Sequence, residues 1–238
     1  MALAFKAACI LALFLQGLTP HAEAKVIQIL HTNDLHASLF TAGAPAAYES
    51  EFGGWAQVKS VMDRLTRTAK DENGKPIPTL RLDAGDFSEG TSEYMADNAT
   101  NIFKAFQEIG YDAVALGNHD WLMGARDLNR ALGVIPFSQP GAPALLAANV
   151  KLGAHLKNLT EQILPTTQIE IGCSANSAQQ DDDCIKVGII GLTTKEPLYS
   201  WIPGQVNSNK KDFSFKAYLP TAKKLIKNRS EERRVGKE

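Results

Sequence analysis

The sequence predicts an α/β fold, and three observations carry that expectation. Short apolar runs alternate with segments of helical period along the first 150 residues, the pattern of an α/β core. Three of the apolar runs end in compact polar clusters, Asp34-Leu35-His36, Gly85-Asp86 and Gly117-Asn118-His119-Asp120. No internal repeat or low-complexity linker interrupts the pattern.

The elements follow in order. Val26–His31 reads as a short strand, succeeded by a glycine- and alanine-rich loop over 37–54. Trp55, Val58, Val61, Met62 and Leu65 recur at helical spacing and predict a helix over Trp55–Thr68. Asn73-Gly74 and two prolines mark Asp71–Pro78 as a turn-rich surface connection into a strand over Thr79–Ala84. Ile102, Phe103, Phe106 and Ile109 predict a second helix over Asn98–Ile109, with Gly110 at the C-cap position. Ala113–Leu116 is the next strand, Ala125–Leu132 the next helix, and Ala144–Ala148 a buried strand that stops at Asn149.

Beyond Asn149 the order changes. Ile163–Ile171 and Ile185–Leu192 read as adjacent strands joined by a polar loop, and Pro220 sits where the first turn of a helix over Pro220–Lys227 begins. The last ten residues, 229–238, carry no apolar periodicity and resemble the translation of a sequencing-adapter oligonucleotide. They are expected to be a non-native tail, so that the native protein continues past Asn228.

The 238 residues are 44% apolar and 21% charged with a net charge of −1, the balance of an ordinary globular protein. No basic face is implied, which argues against nucleic-acid polymers as partners. The first 24 residues form a unit of their own. Lys6, the apolar stretch Ala7–Leu15 and the small residues of Ala22-Glu23-Ala24 have the order of a cleaved signal peptide. The stretch is too short to span a bilayer and is broken by Gln16, Gly17 and Pro20. Export to the periplasm or the medium is therefore expected, with no stable membrane insertion after cleavage. Cleavage removes Cys9 and leaves Cys173 and Cys184, an even pair suited to an oxidising compartment and expected to form a disulfide. The boundaries predicted are 1–24 for the signal, 25–228 for the N-terminal part of one domain, and 229–238 for the tail.

If the runs before the polar clusters are neighbouring strands, their C-terminal ends deliver carboxylates, imidazoles and a carboxamide to one edge. Such oxygen and nitrogen donors suit a pair of divalent cations, and Zn, Mn, Fe or Co all accept mixed His/Asp/Asn ligation. Asp34 and His36 lie two apart and would point to the same side of an extended segment. Asp86 follows a glycine that lets the backbone come close, and its carboxylate has an oxygen for each of two metals. Asn118 would bind through its carbonyl oxygen, while His119 beside it would face the substrate. Each of these residues alone also has an ordinary reading. Asp34 and Asp86 fit caps or turns, His36 a solvated loop, and Asn118-His119 a turn.

Taken together, the segments resemble the calcineurin-like metallophosphoesterase superfamily. Leu30-His-Thr-Asn-Asp34-Leu-His36, Asp83-Ala-Gly-Asp86, Leu116-Gly-Asn-His-Asp120 and Val187-Gly-Ile-Ile-Gly-Leu-Thr193 look like its branch of 5′-nucleotidases, UDP-sugar hydrolases and 2′,3′-cyclic-nucleotide phosphodiesterases. The resemblance implies a four-layer α/β/β/α sandwich, incomplete at its C-terminus. It further implies that Asp34 and His36 hold one metal, Asp86 bridges, Asn118 holds the second, and His119 stabilises the transition state or leaving group. The expected reaction is hydrolysis of nucleotide or nucleotide-sugar phosphate esters by a metal-bridging hydroxide, with a C-terminal substrate-binding domain in the full-length protein. Relatives complete the site with later histidines that have no counterpart among His21, His31 and His155, so this stretch alone is expected to be inactive. They also often pair the histidine matching His119 with an aspartate three residues on, where this chain has Leu122. A secreted binding protein and a sulfur-compound hydrolase on the same scaffold are the alternatives.

Smaller features point to no further function. Trp121 and Trp201 read as core aromatics rather than base-stacking platforms. Asp181–Asp183 reads as a solvated acidic loop, and two Asn-x-Thr sequons, at Asn98 and Asn158, matter only in a eukaryotic secretory pathway.

Overall fold

The computed structural model describes residues 25–40, 53–89, 100–121, 124–134, 141–173, 184–194 and 212–235. The signal segment, Leu122, Trp201, Asn98 and the acidic loop at 181–183 lie outside the described residues.

A five-stranded parallel sheet forms the centre of the fold. Its strands are β1 (Gln28–Thr32), β2 (Thr79–Asp83), β3 (Ala113–Ala115), β4 (Ala144–Leu146) and β6 (Ile163–Leu164), side by side in that order. Helices α1 (Trp55–Thr68), α2 (Thr100–Ile109), α3 (Ala125–Val134) and α4 (Lys157–Gln162) lie between successive strands of this sheet in the chain. The α/β class is thus the one expected, and each predicted boundary before residue 150 falls within two residues wherever the chain is described.

The register explains where the core sits. Pairing of Leu30 with Arg81, Asp83 with Val114 and Val114 with Leu145 puts Leu30, Val114 and Leu145 on one face. That face meets Trp55 and Met62 of α1, Ile102, Phe103 and Phe106 of α2, and Leu128 and Leu132 of α3 in one apolar cluster. Burying each large side chain contributes about 1.5–3 kcal/mol. Phe106 is the hub, with ring centroids 5.1 Å from Trp55, 4.8 Å from Phe87 and 5.5 Å from Tyr111. The opposite face carries Ile29, Leu80, Leu82, Ala113 and Leu146. Ile29, on the edge strand, is 51% exposed.

The expected strand Ile163–Ile171 is two strands. Ile163–Leu164 closes the parallel sheet beside β4, whereas β7 (Thr166–Ile171) pairs antiparallel with β8 (Ile185–Ile190). Pro165 lies between them and has no N–H for either ladder, so the chain changes partner there. Cys173 and Cys184 are joined by the expected disulfide at the loop end of the β7–β8 pair, next to the pairing of Ile171 with Ile185. A second antiparallel pair, β5 (Val150–Leu152) with β9 (Phe213–Phe215), had no clear apolar signal. The last helix, α5 (Tyr218–Val235), begins at the expected turn and runs on beyond Asn228. There Arg229 Nη2 donates to Thr166 Oγ1 at 2.7 Å. No helix among the described residues is long and apolar enough to cross a membrane.

Candidate metal centre

All the residues expected to carry chemistry lie just past the C-terminal ends of β1, β2 and β3. The first two loops are zipped together by a continuation of the parallel ladder. Ala84 N–H donates to Thr32 O (2.9 Å), Asp34 N–H to Gly85 O (2.9 Å), His36 N–H to Asp86 O (3.0 Å) and Ala37 N–H to Phe87 O (2.8 Å). Each loop is then nailed to the core by an apolar residue next to a functional one. Ala37 follows His36, Phe87 follows Asp86, and Trp121 follows His119-Asp120; all three are almost fully buried. Trp121 stacks on Phe213 with centroids 5.2 Å apart and planes 20° apart, so it belongs to the core as expected.

The segment holding Asp34 and His36 is not extended, contrary to expectation. Asp34 (φ 53°), His36 (φ 42°) and Ala37 (φ 53°) adopt the left-handed region, as does Asp86 (φ 57°) in the facing loop. Such backbone costs an L-residue about 1–3 kcal/mol, and it persists where surrounding bonds over-determine it. Here the inter-loop ladder supplies those bonds. Asp34 and His36 still meet, with Oδ1 of Asp34 3.7 Å from Nε2 of His36.

The second and third loops approach so closely that only glycine fits between them. A Cβ on Gly85 would overlap the backbone nitrogen of Gly117, and a Cβ on Gly117 would overlap the Asp86 carboxylate. Asp120 holds this contact. Its buried carboxylate accepts from Gly117 N–H (2.7 Å) and Asp86 N–H (3.0 Å) through Oδ2, and from Ser88 N–H (2.9 Å) and the Ser88 hydroxyl (2.6 Å) through Oδ1. Burial pushes its carboxyl up to about 6, with the Ser88 and Gly117 donors working the other way. The Asp86 carboxylate in turn accepts from His119 N–H at 2.7 Å.

The result is a group of converging donors. His36, Asp86 and His119 each offer a ligand atom, and these atoms lie within 4.8 Å of one another. The rings of His36 and His119 meet edge to face with centroids 4.7 Å apart. Asp34 adjoins the group through His36, and Asn118 is carried to the same edge by its neighbour His119. The ring of His119, the residue expected to face the substrate, lies beside His36 and Asp86, and its Nδ1 is hydrogen-bonded to the Glu89 carboxylate. Two imidazoles and a carboxylate this close form a donor set fitted to a borderline divalent cation.

Several polar residues in and near the site gave little sign in the sequence. Asp83 is buried beneath it, accepting from the Thr32 hydroxyl (2.6 Å) and Gly85 N–H (2.9 Å), while Thr32 also bonds Tyr111. Burial pushes the Asp83 carboxyl up to about 7 despite those two donors. Buried Asn149 reads the backbone of Thr193, donating to its carbonyl (2.7 Å) and accepting from its N–H (2.9 Å), which ties the end of β4 to the chain after β8. A polar residue bounded by apolar runs is the only signal such groups leave, and it does not separate a buried staple from a surface turn. Glu89 lies in a loop without periodicity and left none. Asp212 holds Arg126 at 3.0 Å and His155 at 2.9 Å, which accounts for the histidine that matched no expected ligand.

Comparison with known proteins shows the family. Residues 27–203 match the calcineurin-like phosphoesterase family, and the chain belongs to it. Over 195 residues it is 30% identical to a snake venom 5′-nucleotidase of Gloydius brevicauda, covering 80% of this chain and 29% of that protein. Over 203 residues it is 28% identical to a 5′-nucleotidase of Vibrio vulnificus, covering 84% of this chain and 30% of that one. The crystal structure of a 5′-nucleotidase precursor from Thermus thermophilus superimposes with a TM-score of 0.64 at 25% identity, over 87% of this chain and 35% of the other. The chain thus spans about three tenths of the length of the curated relatives it matches.

Proposed function

We propose that this chain forms the metal-binding part of an exported hydrolase that cleaves phosphate esters of nucleotides or nucleotide sugars. The observation that carries the reading is the gathering of His36, Asp86 and His119 at one strand edge, in a chain of the calcineurin-like phosphoesterase family. The 5′-nucleotidases among its relatives support a nucleotide as the ester. Recognition of the nucleoside is assigned to a further domain, since the gathered side chains are suited to phosphate chemistry alone.

In this reading Asp34 and His36 would hold one divalent cation, Asn118 a second, and Asp86 both. When bound, such a pair neutralises charge on the phosphoryl oxygens and supplies the attacking oxygen at neutral pH. The protein's own groups do the remainder. His119 meets the leaving oxygen and gives it a hydrogen bond or a proton, which the in-line displacement needs as the P–O bond breaks. The Asp120 hub and the Gly85–Gly117 contact fix the spacing of the loops, so the donors need not reorganise during the reaction. Signal cleavage after Ala24 would release the protein into an oxidising compartment, where the Cys173–Cys184 bond is stable.

The test is phosphate release from AMP by the intact protein after chelation and after re-addition of Mn or Zn. Activity should return with metal and be abolished in Asp86→Ala. Undiminished turnover in that variant, or turnover indifferent to chelation, contradicts the proposal.

A further inference from the structure

We propose that Glu89 is the positioning residue for His119: its carboxylate holds the Nδ1 proton and so leaves Nε2 as the atom that serves the substrate. The inference rests on the reading of His119 given above.

Three observations lead to it. The Nδ1 atom of His119 is hydrogen-bonded to the Glu89 carboxylate, and a carboxylate only accepts. Nδ1 therefore carries a proton whatever the charge of the ring, and Nε2 is the remaining nitrogen for exchange with a reacting group. The acidic residue next to His119 in sequence is not available for this task. Both oxygens of Asp120 are occupied by backbone and Ser88 donors, and its side chain is buried beneath the loop. Finally, Glu89 is set by backbone rather than chance. It has φ 66° and follows Ser88, whose N–H and hydroxyl are both fastened to Asp120. Asp120 thus holds the loop that carries Glu89, and Glu89 holds the ring that Asp120 does not touch. Carboxylate–imidazole pairs of this kind fix the tautomer and orientation of a working histidine.

Half-exposed Glu89 makes a mild substitution site, with its side chain 46% accessible. The intact protein, ¹⁵N-labelled at histidine and freed of metal, should show His119 protonated at Nδ1. Glu89→Ala should shift the neutral ring toward the Nε2-protonated tautomer. In the metal-loaded protein, Glu89→Ala should lower kcat about 10- to 100-fold with KM changed less than about twofold, the usual cost of losing such a partner. The loss should be larger for an alkyl phosphate than for p-nitrophenyl phosphate, whose leaving group needs no proton. In a His119→Ala background the same substitution should have no further effect, because two residues acting as one unit are non-additive. An unchanged His119 tautomer in Glu89→Ala overturns the proposal, and so does a full additional loss in the double variant. If the unaltered protein released no phosphate from any ester, the functional reading would fail, and the tautomer measurement would still decide the role of Glu89.

Discussion

Asp120→Ala is the substitution with the most structural consequence in this site. The side chain is buried, and it is the common acceptor for three backbone amides and one hydroxyl from two loops. Removing it leaves the amides of Asp86, Ser88 and Gly117 without that acceptor, at about 1–3 kcal/mol each for a buried donor, or roughly 3–6 kcal/mol after some access of water. At pH 5, below the Asp120 value of about 6, the wild-type group is mostly protonated. Relief of a buried charge then does not enter the comparison. Against a total stability of about 5–15 kcal/mol, a loss of this size is severe but measurable. Urea unfolding of the metal-free protein at pH 5 gives the global figure, and hydrogen exchange at the three amides gives the local one. A destabilisation below about 1 kcal/mol, with those amides still protected, would show that Asp120 is not the clamp its contacts imply.

Two other substitutions probe the site's supports. Gly117→Ala places a methyl against the Asp86 carboxylate and should weaken metal binding at least tenfold while the far disulfide-linked pair stays folded; calorimetric titration with Mn reads this, and unchanged affinity would mean the loops are not in contact. Asp83→Asn tests the charge buried under the site. The folded-state carboxyl is raised by burial to about 7 from 3.8, so the folded protein binds more protons than the unfolded chain between those values, and stability falls as pH rises through that window. The variant should lack this fall, gaining on wild type by up to about 4 kcal/mol between pH 4 and pH 8 in the metal-free protein. Parallel stability curves for the two proteins would refute the assignment.

Much of the fold could be read from the chain because its elements are long enough to show a period. Trp55–Thr68 was bounded from its apolar spacing alone, and the strands before each polar cluster were found because buried parallel strands are short, uninterrupted apolar runs. The reading failed where tertiary pairing overrides local pattern. Ile163–Ile171 carries apolar residues at both ends with no turn cluster between them, and only Pro165 hints that its halves serve different sheets. The three residues of Phe213–Phe215 are too few to reveal a period.

The site was legible in a similar, partial way. Asp34, His36, Asp86, Asn118 and His119 could be picked out because reactive residue types recur at strand ends. The conformation that gathers His36, Asp86 and His119 could not, since left-handed backbone at Asp34, His36 and Asp86 has no signature in those residue types. Nor could the supports. Nothing in the sequence marks Asp120 as the residue that fastens both loops, and Glu89 reaches His119 across thirty positions of sequence. Such long-range pairs are fixed by the packing of β2 against β3, which no local pattern records.

The central claim is that the edge of β1, β2 and β3 holds two metal ions joined by Asp86. Anomalous diffraction from crystals of the intact protein grown with Mn tests it most directly. Two peaks about 3.5–4 Å apart are predicted, one beside Asp34 and His36, the other beside Asn118, with Asp86 between them. A single peak, or peaks that leave Asp86 outside both coordination spheres, would contradict it.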